Sequence, residues 1–92
     1  MIENKITEFK QEYLDEIKYA VVAFSTSDGG NLYIGIIDDG SVLGVENTDD
    51  TMLRLTNMIR DVVRLDVTMF VDCDVEVMDE KNVVVLTVQR GT

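Results

Sequence analysis

Between Leu32 and Ile37 the chain reads Leu-Tyr-Ile-Gly-Ile-Ile, apolar on both alternating faces. A strand with one wet face alternates apolar and polar residues, so this run demands a central strand covered on each side. Gly35 within it marks close packing or a bend. Asp38-Asp-Gly-Ser41 follows as a hairpin signal, and Val42 to Val45 is expected to return as a second strand paired antiparallel with the first.

Upstream, Ile6 to Phe9 is short and tolerant of β structure, and the period then changes. Tyr13, Leu14, Ile17, Val21 and Phe24 recur at helical spacing, with Asp15 and Lys18 away from that face, which predicts a helix from about Gln11 to about Phe24. Ser25 to Gly30 ends it, because its side chains compete for backbone hydrogen bonds and its two glycines are free to take positive φ. Asn47-Thr-Asp-Asp-Thr51 offers N-cap side chains and acidic groups for the positive end of a second helix, expected from about Asp50 to about Leu65. Its apolar residues Leu55, Met58, Ile59 and Val62 share one face, while Arg54, Arg60 and Arg64 lie in a broad arc on the other.

From Val71 to Val77 the alternation is strict: Val71, Cys73, Val75 and Val77 on one side, Asp72, Asp74 and Glu76 on the other. Asp79-Glu-Lys-Asn82 reads as a turn, and Val83 to Val88 as a final strand paired with its predecessor. The expected order is β-α-β-β-α-β-β. This is an α/β (α+β) fold: one compact domain over residues 1–92 with a mostly antiparallel mixed sheet and two helices.

Ninety-two residues suit one core, and with 46% hydrophobic residues the chain has enough apolar material to fold. The single cysteine, Cys73, can form no intramolecular bridge, so self-association into a homo-oligomer or a neighbouring domain is expected to help. No apolar run is long enough to cross a bilayer and Met-Ile-Glu-Asn-Lys is too polar for a secretory signal, which points to a cytoplasmic protein without a membrane partner. A net charge of −10 repels phosphate backbones at long range. Nucleic-acid binding by the isolated domain should therefore be weak. The absence of histidine excludes Ser-His and Cys-His nucleophile pairs and any zinc site built on imidazole.

Three stretches together resemble the Schlafen-type AlbA domain: Glu3-Asn-Lys-Ile-Thr-Glu-Phe-Lys10, Ala23-Phe-Ser-Thr-Ser-Asp-Gly-Gly-Asn-Leu-Tyr-Ile-Gly35, and Asp38-Asp-Gly-Ser-Val-Leu-Gly-Val45. The similarity extends to Val83–Val88 and so covers nearly the whole chain. It implies an AlbA-like α/β fold found beside other domains in bacterial and archaeal transcriptional regulators, with DNA binding as the family's assigned role. Some animal relatives are instead endoribonucleases with two glutamates and an aspartate around a divalent metal. Glu3, Glu8 and Asp38 fall where those residues would stand. The chain departs from the family in having Thr26 and Ser27 where Asn-Thr is frequent, and in lacking a proline near the end of the second helix. Members also commonly continue into a basic segment where this chain stops at Gly91-Thr92, so a fragment or a short member is expected.

The candidate residues each carry two readings. Glu3, Glu8 and Asp38 would suit Mg²⁺ or Mn²⁺, since hard cations prefer carboxylate oxygens; alternatively Glu3 frays, Glu8 pairs with Lys10 or Lys81, and Asp38 shapes its turn. The second alternative needs no cofactor. Arg54, Arg60 and Arg64 could hold nucleic-acid phosphates, or could form a solvated face with i,i+4 acidic support. Ser27-Asp-Gly-Gly30 lacks the P-loop lysine and reads as architecture. Met52, Met58, Met69 and Met78 are expected to fill core gaps, and Cys73 to be a small buried hydrophobe. A pure assembly role, in which the acidic surface meets a basic protein or an additional domain, is the remaining alternative.

Overall fold

The computed structural model describes residues 7–63 and 69–90. The elements are β1 (Thr7–Lys10), α1 (Ile17–Ser25), β2 (Gly30–Ile34), α2 (Thr48–Val63), β3 (Met69–Met78) and β4 (Lys81–Arg90). They form a four-stranded mixed sheet in the order β1-β2-β4-β3. β1 pairs parallel with β2, which requires the crossover that α1 supplies, and the other two pairings are antiparallel. No helix among the described residues is long and apolar enough to cross a membrane.

The two central strands divide the core. Leu32 and Ile34 of β2 and Val84, Leu86 and Val88 of β4 meet Ile17, Val21 and Phe24 of α1 and Leu55, Met58 and Val62 of α2. On the opposite face Phe9, Ile36, Val83 and Val85 form a smaller cluster with Tyr33, Val42 and Met78 packed against it. Phe9 meets Tyr33 edge to face, with ring centroids 6.1 Å apart. Both faces of the middle of the sheet are therefore dry, as the Leu32–Ile37 run required, although the strand itself ends at Ile34.

Two expectations need correction. The chain from Val42 to Val45 does not form a strand, and only a single bridge joins Ile36 to Val42. Gly35, at φ 109°, turns the backbone out of the sheet; its carbonyl accepts both the Leu43 and the Gly44 N–H groups, at 2.7 and 2.9 Å. The two donors on one acceptor are a bulge that disrupts the pairing locally, and beyond it Val45 N–H bonds instead to Asn82 O at 2.8 Å. The Asp38–Ser41 turn itself is present, closed by Ile37 N–H to Ser41 O at 3.0 Å.

The first helix begins at Ile17, not near Gln11. The Lys10 carbonyl still accepts N–H groups from Gly35 and Ile36, so the chain is committed to the sheet through that residue and needs the next few to reverse over it. Entry is by a tightened turn, with Ile17, Lys18 and Tyr19 N–H groups bonding to Leu14, Asp15 and Glu16 carbonyls. Leu14 is left 43% exposed instead of joining the helix face.

Other local expectations hold. Asn47 Oδ1 accepts the Asp50 N–H at 3.0 Å and caps α2, with Asp49 and Asp50 in its first turn. Asp79 and Glu80 take positive φ, 49° and 62°, in the two-residue turn between β3 and β4. The turn after α1 closes with Gly29 N–H on Phe24 O at 3.0 Å, and Gly29 sits at φ 89°.

A Cβ at Gly29 would lie 2.5 Å from the Val88 carbonyl oxygen, so the residue is fixed by both conformation and space. Gly29→Ala is expected to lower the unfolding free energy by about 2–4 kcal/mol, read from urea denaturation, whereas Asn47→Ala should cost about 1 kcal/mol. An unchanged midpoint in Gly29→Ala would mean that the turn is not seated against β4.

Candidate functional site

β1 places Glu8 beside Leu32, on the helix-covered side of the sheet, because its neighbour Phe9 faces the opposite cluster. One carboxylate oxygen of Glu8, Oε2, is buried and has no hydrogen-bond partner. An acceptor in that state loses its hydration without compensation. The pairings that would have relieved Glu8 are taken elsewhere: Lys10 Nζ lies 3.4 Å from Glu16 Oε1, and Lys81 Nζ donates to the Val42 carbonyl at 3.2 Å.

Asp38 is exposed, in the turn beyond the end of β2. It lines a cleft of about 460 Å³ with Phe9, Lys10, Glu12 and Asp39, and Glu8 is not among the lining residues. Asp39, which sequence reasoning had not singled out, accepts the Ser41 N–H at 2.8 Å. Hydrogen bonds from the Ser41 side chain and then its backbone hold the Asp39 carboxyl below its usual range. No spacing signal links residues 12 and 39: they follow the paired ends of β1 and β2, Lys10 and Ile34, and line one cleft. Glu3 lies outside the described residues, and among those residues no group of three or more His, Cys, Asp or Glu is arranged to hold a metal ion.

The arginines of α2 occupy different flanks. Arg54 faces the α1 side, where it pairs with Asp50 at 3.1 Å and stands 5.8 Å from the Tyr13 ring centroid. The cleft there, about 490 Å³, also holds Asp15, Lys18, Asn57 and Asp61, so its two cations are matched by two carboxylates. Burial first, then the Asp15 charge, raises the Tyr13 phenol above its ordinary pKa, against the lowering effect of Arg54. Arg60 is exposed and lines no part of this cleft, and Arg64 lies outside the described residues.

The Ser27–Gly30 stretch is occupied with its own turn: Ser27 Oγ donates to Phe24 O, and a Cβ on Gly30 would strike the Phe24 ring. Cys73 is half-buried with its Sγ 3.4 Å from Met52 Sδ, and burial, with Asp74 second, pushes its thiol up to about 11. A thiol so poorly ionised near neutrality is a weak nucleophile. Met58 is buried, and Met52 and Met78 pack against the two clusters.

These features describe a small α+β domain in which, among the described residues, one carboxylate oxygen on β1 is buried without a partner, and whose charge is mainly acidic. Comparison with known families places it further: the model of the family described as Schlafen, AlbA_2 matches residues 3–92, and the chain belongs to that family. No curated protein gives a significant match.

Proposed function

We propose that this chain is a nucleic-acid-associated domain of a transcriptional regulator. The observation that carries this reading is the family match across residues 3–92. The electrostatics shape it: with a net charge of −10 and Arg54 engaged by Asp50, the domain brings few free cations of its own. Its contribution is a weak contact that gains strength from a neighbouring basic segment or a second subunit. Arg60, exposed and outside the balanced cleft, is the described cation best placed to meet a phosphate.

Fluorescence anisotropy with labelled duplex DNA should detect binding at ~50 mM salt and give a Kd weaker than about 10 µM near ~150 mM. Arg60→Ala should weaken binding to all sequences alike, as a phosphate contact does. Absence of binding to duplex DNA, single-stranded DNA and RNA at ~50 mM salt would remove this role from the domain.

A second reading is favoured by the unpartnered Oε2 of Glu8. In it Glu3, Glu8 and Asp38 hold Mg²⁺ or Mn²⁺ and the domain is a metal-dependent nuclease of the Schlafen type. A buried carboxylate oxygen without a donor is what a hard cation would satisfy. On this reading about 1 mM Mn²⁺ raises the melting temperature by roughly 4 °C or more. Glu8→Gln abolishes that gain and leaves the metal-free protein at least as stable, since it removes a buried charge at nearly constant volume. No Mn²⁺ response, together with intact RNA and single-stranded DNA after long incubation, would dispose of it.

A further inference from the structure

β3 forms one edge of the sheet, and among the described residues it pairs only with β4. Ten residues long and free of proline, it is the longer of the two edge strands among the described residues. The Val75 N–H is taken by the side chain of its own neighbour, Asp74 Oδ1, at 2.9 Å. That N–H therefore points away from β4. The register with β4 runs unbroken from Met69 to Met78, so the N–H and C=O groups of Val71, Cys73 and Val77 point outward as well.

The side chains on this edge are sorted by face. Val71 and Cys73 pack under α2, but Val75 and Val77 run on past that cover and are 38% and 71% exposed. On the opposite face Asp72, Asp74 and Glu76 are all exposed, and among the described residues none has a cationic partner. Among the described residues the edge thus offers a backbone without a strand partner, an apolar strip on one face and a row of three carboxylates on the other.

We propose that this edge receives an added β-strand from a basic partner chain, with alternating Lys or Arg residues beside Asp72, Asp74 and Glu76 and apolar residues over Val75 and Val77. Main-chain bonds would supply affinity and the alternating side chains specificity. A carbonyl of the incoming strand takes the Val75 N–H, and the Asp74 carboxylate, released from it, takes the partner's cation. A second copy of this chain is the wrong occupant. Antiparallel pairing about Asp74 sets Asp74 against itself and Asp72 against Glu76, and parallel in-register pairing sets each acid against its own copy. Any self-association must use another surface.

Hydrogen exchange followed by NMR on the whole chain tests it, with the capped peptide Lys-Val-Lys-Val-Lys-Val-Lys as the probe. In the free chain the Val71, Cys73, Val75 and Val77 amides should exchange quickly, and saturating peptide should slow them about tenfold or more. A peptide of the same composition with its lysines clustered at one end should leave them fast. The exposed, isosteric double variant Asp72→Asn, Glu76→Gln keeps the fold and should weaken the alternating peptide about fivefold or more. Equal protection by both peptides, binding without protection of these amides, or full affinity in the double variant would each overturn the proposal. So would a dimer in which the same amides are already slow without peptide.

Discussion

Burial of both faces of β4 is the constraint on which the rest of the structure depends. Val83, Val84, Val85, Leu86 and Val88 are each at most 6% exposed, and they alternate between the two clusters. Burying one such side chain is worth about 1.5–3 kcal/mol, so five of them rival the whole net stability of a small domain, about 5–15 kcal/mol. That gain exists only if something covers each face. α1 and α2 cover one, and the chain leaving β2 at Gly35 covers the other with Ile36 and Val42. Because β4 also pairs on both sides, it sets the register of β2 and β3 together and pushes β1 and β3 out to the edges.

That arrangement explains what could be read from the residues. Local signals were legible because local chemistry decides them: an N-cap within Asn47–Thr51, a turn in Asp79–Asn82 that the structure tightens to Asp79-Glu80, Ser25–Gly30 as a helix exit, the alternation of β3. The two misreadings both fall where the chain leaves the sheet. Val42–Val45 has the composition of a strand, but Gly35 O receives both Leu43 and Gly44 N–H groups, a bulge invisible in sequence order, and Val45 turns to Asn82. Tyr13 and Leu14 keep helical spacing with Ile17, yet the pairing of Lys10 with Gly35 and Ile36 delays the helix by a turn and more. Tyr13 then serves as a neighbour of Arg54.

The candidate site was legible only in part, for a related reason. Glu8 could be singled out, but its burial follows from which face of β1 it occupies, and that is set by the Phe9 and Tyr33 contact across a parallel pair. The grouping of Asp38 with Glu12 and Asp39 likewise depends on strand ends meeting in space. Charge, by contrast, was readable at once: 18 acidic residues against 8 basic leave the surface short of cations, and the structure places three of the acids in a row on an open edge. Such a surface invites a basic partner more readily than it grips a phosphate backbone alone.

Native-state hydrogen exchange across a series of low urea concentrations tests the central role of β4 most directly. If its two-sided burial holds the fold, the Val83–Val88 amides open only with global unfolding, and their exchange free energies fall with urea at the full equilibrium slope. Amides of β1, and those of β3 that face the open edge, should exchange through smaller openings with little urea dependence. Val83–Val88 amides that exchange as readily as those of β3, and with equally little response to urea, would contradict the account.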